Sequence, residues 1–170
     1  QDVQFEWIAA PVISVGPLEE KAEVKKGIDG LVTFEFKDMI EMPGGKGTYR
    51  CVGDLPIGNR NLVTGSLVVT GELDIGEETV IKGNLKCYGK TSIGAGCVVE
   101  GSIVTRSPLQ IGENCVVNGP VISEEEITIG AGSVIGTEQI NATISAPQIY
   151  LNKGVVIKGM VIAESEGKTI

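Results

Sequence analysis

Ile75-Gly76-Glu77-Glu78-Thr79-Val80-Ile81-Lys82-Gly83-Asn84-Leu85-Lys86-Cys87-Tyr88-Gly89-Lys90-Thr91-Ser92 is followed at once by a second Ile-Gly, at Ile93, and the same dipeptide stands at Ile57, Ile111 and Ile129. Each return comes 18 residues after the last. Two more glycine series keep the period: Gly47, Gly65, Gly83, Gly101 and Gly119, and then Gly53, Gly71 and Gly89. A fixed period of this length is the mark of a repeat architecture in which one supersecondary unit stacks on the next.

Counting from the Ile of Ile-Gly as position 1, the apolar columns fall at positions 1, 7 and 11, as in Ile75, Ile81 and Leu85 or Ile111, Val117 and Val121. Mixed small or apolar columns stand at 5, 13 and 17. Steps of two keep side chains on one side of a strand, and the intervening steps of four leave room for a corner. Each coil therefore reads as three short strands around a triangular core, with glycine at the bends. The expected fold is all-β: a single-stranded triangular parallel β-helix (β-solenoid) with 18-residue coils, right-handed by the general preference of parallel crossovers. Roughly seven coils at about 4.8 Å each give a rod on the order of 30 Å long. Ile140-Asn141-Ala142-Thr143-Ile144 resumes the pattern of Val99-Glu100-Gly101-Ser102-Ile103 only if about five extra residues, Ile135 to Gln139, bulge as a loop. Ile149, Leu151, Val155, Ile157 and Val161 then carry the pattern on.

Residues 1–46 do not fit the coil register and form the expected N-terminal capping segment, with residues 47–170 as the β-solenoid domain. They hold all three phenylalanines and the only tryptophan. Pro17 followed by Leu18-Glu19-Glu20-Lys21-Ala22-Glu23-Val24-Lys25-Lys26 and Gly27 predicts a short helix, with acids early, bases late and a glycine stop. Leu31 to Phe36 alternates like a strand. A solenoid must hide the apolar end of its first coil, so this segment is expected to cover that end.

Apolar residues make up 42% of the 170-residue chain but aromatics only 4%, so small aliphatic side chains must fill the core. A net charge of −8 with no basic cluster argues against nucleic acid and against an anionic membrane surface as partners. No apolar run is long enough to span a bilayer, so the chain as given is expected to be soluble, without membrane insertion of its own. Starting at Gln1 without Met, it reads as a processed or excised piece, whose upstream part could carry a targeting or membrane segment. A cytoplasmic or membrane-associated setting is favoured, with the cell surface as the alternative. The four cysteines lack CxxC spacing and there is no histidine, which removes the main support for a zinc or thioredoxin-type site. Cys97 and Cys115 share a column in adjacent coils, about 5 Å apart. Parallel register strains a bridge between them, so reduced core thiols are expected. Asn141-Ala142-Thr143 matches an N-glycosylation acceptor, a tripeptide that is common by chance.

Two families share an 18-residue triangular coil. Hexapeptide acyltransferases require a small residue at position 11 and a large aliphatic at position 13. This sequence has Leu67, Leu85, Ile103 and Val121 at the first, and Cys87, Thr105 and Ser123 at the second. Those enzymes generally use a histidine base, and their carbonic anhydrase relatives bind zinc through histidines. Ile75-Gly76-Glu77-Glu78-Thr79-Val80-Ile81-Lys82-Gly83-Asn84-Leu85, Ser145-Ala146-Pro147-Gln148-Ile149-Tyr150-Leu151 and Val155-Val156-Ile157-Lys158-Gly159-Met160-Val161 instead resemble the bactofilins, polymer-forming cytoskeletal proteins. The resemblance covers Gly47 to about Ala163 and implies a right-handed β-helix that assembles without nucleotide or metal. Residues 1–46 depart from it, since bactofilins flank the helix with short tails.

The function expected on these grounds is that of a non-enzymatic structural scaffold, with no catalytic, cofactor or metal residues, whose partner is a second copy of itself. Val155, Ile157, Val161 and Ile162 line the last coil, with only Glu164 to Ile170 to cover them, and are the self-association candidates. The alternative is a degenerate hexapeptide-repeat, acyltransferase-like trimer that binds a small molecule beside the Ile135 to Gln139 loop. A third reading is a binding module of a larger envelope protein.

Overall fold

The computed structural model describes residues 3–16 and 28–170. The helix expected over Leu18–Lys26 lies outside the described residues. Within them the protein is all-β, a parallel β-solenoid of about seven turns with about 18 residues per coil.

The chain opens with β1 (Gln4–Ser14), β2 (Val32–Thr33), β3 (Ile40–Glu41) and β4 (Thr48–Cys51). Three-strand coils follow. The first is β5 (Leu55–Ile57), β6 (Asn61–Val63) and β7 (Ser66–Val69), and the next β8 (Leu73–Ile75), β9 (Val80–Ile81) and β10 (Leu85–Cys87). Then come β11 (Thr91–Ile93), β12 (Val98–Val99) and β13 (Ile103–Thr105), and after them β14 (Leu109–Ile111), β15 (Val116–Val117) and β16 (Val121–Ser123). β17 (Glu126–Ile129) and β18 (Val134–Ile135) lead into two long strands that turn corners without breaking, β19 (Ala142–Leu151) and β20 (Val156–Thr169).

Stacking in parallel register gives three flat faces. The first holds β5, β8, β11, β14, β17 and the second half of β19. The second holds β6, β9, β12, β15, β18 and the start of β20. The third holds β4, β7, β10, β13, β16 and the start of β19.

Each register step places like residue over like. The columns at positions 1, 7 and 11 are buried from Ile57, Val63 and Leu67 down to Leu151, Ile157 and Val161. The small columns have a physical reason of their own. At position 5 the side chains of Thr79, Cys97, Cys115 and Ser133 each donate a hydrogen bond to the glycine carbonyl at position 2 of the coil before, at 3.0, 3.1, 3.2 and 2.9 Å. One corner is thus stitched to the next by a hydroxyl or thiol small enough to reach back, where an aliphatic would leave the carbonyl unpaired. At position 13 the Cys87 thiol bonds Gly71 O at 3.1 Å and the Ser123 hydroxyl bonds Ser107 O at 3.1 Å, doing the same at a second corner. No cysteine forms a disulfide. A hydrogen bond with Cys115, then burial, pushes the Cys97 thiol far above the ordinary thiol range, so it stays a protonated core group.

Glycine has two distinct uses at the bends. Position 4 is left-handed in every coil, at Arg60, Glu78, Gly96, Asn114, Gly132 and Gly154. Position 9 needs closeness instead: a Cβ on Gly119 would stand 2.7 Å from the Gly101 carbonyl oxygen.

The inserted loop sits two residues later than expected. Ile135 pairs with Val117 and Ile157 inside the ladder, and Ala142 takes the position of Gly119, so the five extra residues are Thr137–Asn141. Ile135 is a position 7 core residue, and the core claims it before the loop can.

Candidate functional site

Both ends of the solenoid are covered, and by different means. At the first coil, β2 adds a parallel strand over β6, while β3 pairs antiparallel with β4. The backbone of Val32 and Phe34 continues the second face, their N–H groups donating to Arg60 O and Leu62 O. Phe34 meets Phe36 edge-on at 5.3 Å, and Phe36 stacks on Tyr49 at 3.8 Å, Tyr49 being the residue directly over Leu67 in the position 11 column. Three rings thereby roof the aliphatic column. Arg60 ties the roof down, bonding Asp29 O while it pairs with Glu78.

The far end, expected to be open, carries β1. This strand runs antiparallel along β20 from Gln4 opposite Lys168 to Ser14 opposite Val156, following it around the corners with bulges after Phe5 and Ala10. Residues 1–46 were all expected over the first coil, but Gln4–Ser14 lies at the last. The reason is the unmet demand of β20, whose outer row of backbone N–H and C=O groups needs partners and whose core side needs apolar cover. Phe5, Ile13 and Val15 supply that cover. The seat for Phe5 is built by sequence. Position 17 holds Leu55, Leu73, Thr91, Leu109, Ile127 and Ile149, and then Gly167, where a Cβ would fall on the Phe5 ring. Phe5 occupies the room that the missing side chain leaves.

The self-association candidates can now be placed. Val155, Ile157 and Val161 are fully buried, beneath β1, and Ile162 faces outward and is half-buried. The structure brings all four to the last coil, but the outermost strand there is β1, on which Trp7 is 62% exposed, with Val3 just before it 54% exposed. Sequence reasoning missed β1 as the terminal strand. The lone glycine at the end of the position 17 column was the available signal, because it marks space that something from elsewhere must fill.

The faces offer less chemistry. An open groove of about 390 Å³ on the first face is lined by Lys90, Pro108, Leu109, Gln110, Glu126 and Thr128. The Thr137–Asn141 loop stands at the corner between the second and third faces, so groove and loop do not share a site. Glu124 and Glu125 are exposed, and the Tyr150 hydroxyl donates to Glu166 at 2.9 Å. Asn141 ends the exposed loop. Among the described residues no group of three His, Cys, Asp or Glu could hold a metal ion, and no helix is long and apolar enough to cross a membrane. No family model, curated protein or solved structure matches the chain.

Proposed function

We propose that the protein is a non-enzymatic, bactofilin-like structural scaffold that self-associates through the β1 end of its solenoid. The observation that carries this reading is that β1 closes the last coil and in doing so becomes the terminal strand, with Trp7 standing out at 62% exposure. A terminal strand keeps one backbone edge for a second chain, and two identical edges meet antiparallel about a two-fold axis. A large exposed aromatic beside that edge is the side chain type that anchors interfaces. In this reading Val155, Ile157 and Val161 act from below, holding β1 flat, and make no direct contact with the partner.

Sedimentation velocity of the full chain over a range of concentrations tests the proposal. The native protein is expected to associate, and Trp7→Lys to weaken that association about tenfold or more, which is about 1.4 kcal/mol. Association indifferent to Trp7→Lys, or a native chain that stays monomeric at the highest concentration reached, would sink the end-to-end reading. Lysine at Ile157 or Val161 is unsuitable as a probe, since a charge placed in the core breaks the fold before it can report on a partner.

A further inference from the structure

Among the described residues, the second face carries an outward column unlike those of the other two faces. At position 6, Leu62 stands over Val80, Val80 over Val98, Val98 over Val116, Val116 over Val134 and Val134 over Val156. All six point away from the core and are half-buried. The stripe ends in hydroxyl residues, Thr33 beside Leu62 and Ser14 beside Val156. Strand propensity alone does not account for it, because the matching columns of the other faces need strand formers equally and yet change character from coil to coil. The first face reads Pro56, Asp74, Ser92, Gln110, Thr128, Tyr150 and Lys168 at that place, and the third reads Arg50, Val68, Lys86, Val104, Ile122, Ser145 and Ile162.

We propose that this stripe is a homotypic docking face, on which a second copy of the chain packs side by side about a two-fold axis parallel to the solenoid. A flat ladder of one residue type at a single pitch is complementary to itself, whatever its neighbours are. The flanking residues select this arrangement. With the axis along the solenoid, the corner at positions 2 to 4 of one copy lies over position 8 of the other in the same coil. Glu78, already paired with Arg60, then meets the partner's Lys82. Arg60 faces Thr64, Gly96 faces Glu100, Asn114 faces Asn118 and Gly132 faces Gly136, and the one like-charge approach is Lys153 over the partner's Lys158, whose ammonium is already paired with Glu138. The Thr137–Asn141 loop, with Ile140 56% exposed, falls on Gly130-Ala131-Gly132, a corner with no side chain larger than a methyl. In the antiparallel alternative the same loop falls on Lys82 instead.

Five steps of about 4.8 Å and a strand width of about 13 Å bury on the order of 800 Å² in total once the loop is included, the range of a weak, concentration-dependent dimer. This lateral contact is separate from the β1 end and stands or falls independently of the end-to-end reading.

The test is sedimentation velocity of the full chain from about 10 to about 500 µM with Val98→Lys, Val116→Lys and, separately, Trp7→Lys. Outward lysine is compatible with the fold, as Lys82 and Lys86 already occupy outward positions. Expected is a weak self-association whose dissociation constant rises about tenfold or more with either valine variant and persists in Trp7→Lys. Val98→Cys, which faces its own copy in the parallel arrangement, is expected to cross-link as a single variant under mild oxidation. The proposal is overturned if the chain is monomeric throughout, if neither lysine changes the association, or if the lysines lower the melting temperature without changing mass, which would mean that the chain's own residues cover the stripe. Cross-linking only when Val98→Cys is mixed with Val116→Cys overturns it in favour of antiparallel packing. Loss of association in Trp7→Lys but not in the valine variants would support the end and overturn the face.

Discussion

The two ends of the solenoid solve one problem with opposite materials. The first coil is roofed by rings, with Phe34, Phe36 and Tyr49 stacked over an aliphatic column, and its cover comes from the residues just before it in sequence. The last coil is sealed by backbone, with β1 laid along β20 and partners such as Val3 and Thr169 lying 166 residues apart. A local cover can form with the coil it protects. A cover made from the opposite terminus forms only after the whole stack exists, because loop closure over the full chain is paid before any contact repays it. The far end is thus the conditional one, and the place where edge-driven association has its opening.

The largest expected effect comes from closing the seat of Phe5. Gly167→Leu completes the position 17 column and leaves no room for the ring, so β1 must lift or shift. A loss of about 2–3 kcal/mol in urea unfolding is expected, together with heavier association as the β20 edge comes free. If stability and mass are both unchanged, β1 is not what holds the last coil closed. At the other end, Phe36→Ala removes the middle ring of a half-buried stack. The expected cost is about 1–2 kcal/mol, with no change in association, because no strand edge is released. Equal association in the two variants would erase the distinction between the ends.

The interior of the solenoid was legible in the sequence and its ends were not. Stacking in register turns three-dimensional position into sequence period, so Ile57, Ile75, Ile93, Ile111 and Ile129 announce one buried column directly. The small residues at position 5 were visible as a column but not as donors, since their acceptors lie 21 residues back, across a corner. Registration also overruled the loop boundary, keeping Ile135 in its column. β1 has no period to declare itself by, and nothing in Phe5-Glu6-Trp7-Ile8 says which end it covers; sequence adjacency favoured the wrong one. The valine stripe is periodic too, but period alone does not tell an outward column from an inward one. Its columns are as regular as those of the core, which is why an outward column so uniform asks for a partner.

The smallest expected effect lies between the ends, where the coils cover one another and no cap is needed. Thr91 sits at position 17 between Leu73 and Leu109, fully buried, and its Oγ1 has no hydrogen-bond partner. Elsewhere in the core the stacked coils put a carbonyl within reach of a small polar group, as at Thr79 and Ser133, where the corner brings the backbone close. Thr91 is flanked by leucines, and the desolvated hydroxyl is a cost with no return. Thr91→Val keeps the shape and removes that cost, so it is expected to stabilise the chain by about 1 kcal/mol in urea unfolding. Because each coil rests only on its neighbours, the gain belongs to the middle of the stack and is expected to leave association at either end unchanged. A gain that persists undiminished in the Gly167→Leu background would show that the middle of the stack is energetically independent of the last coil, whereas a gain that vanishes there would show that the two unfold as one coupled unit.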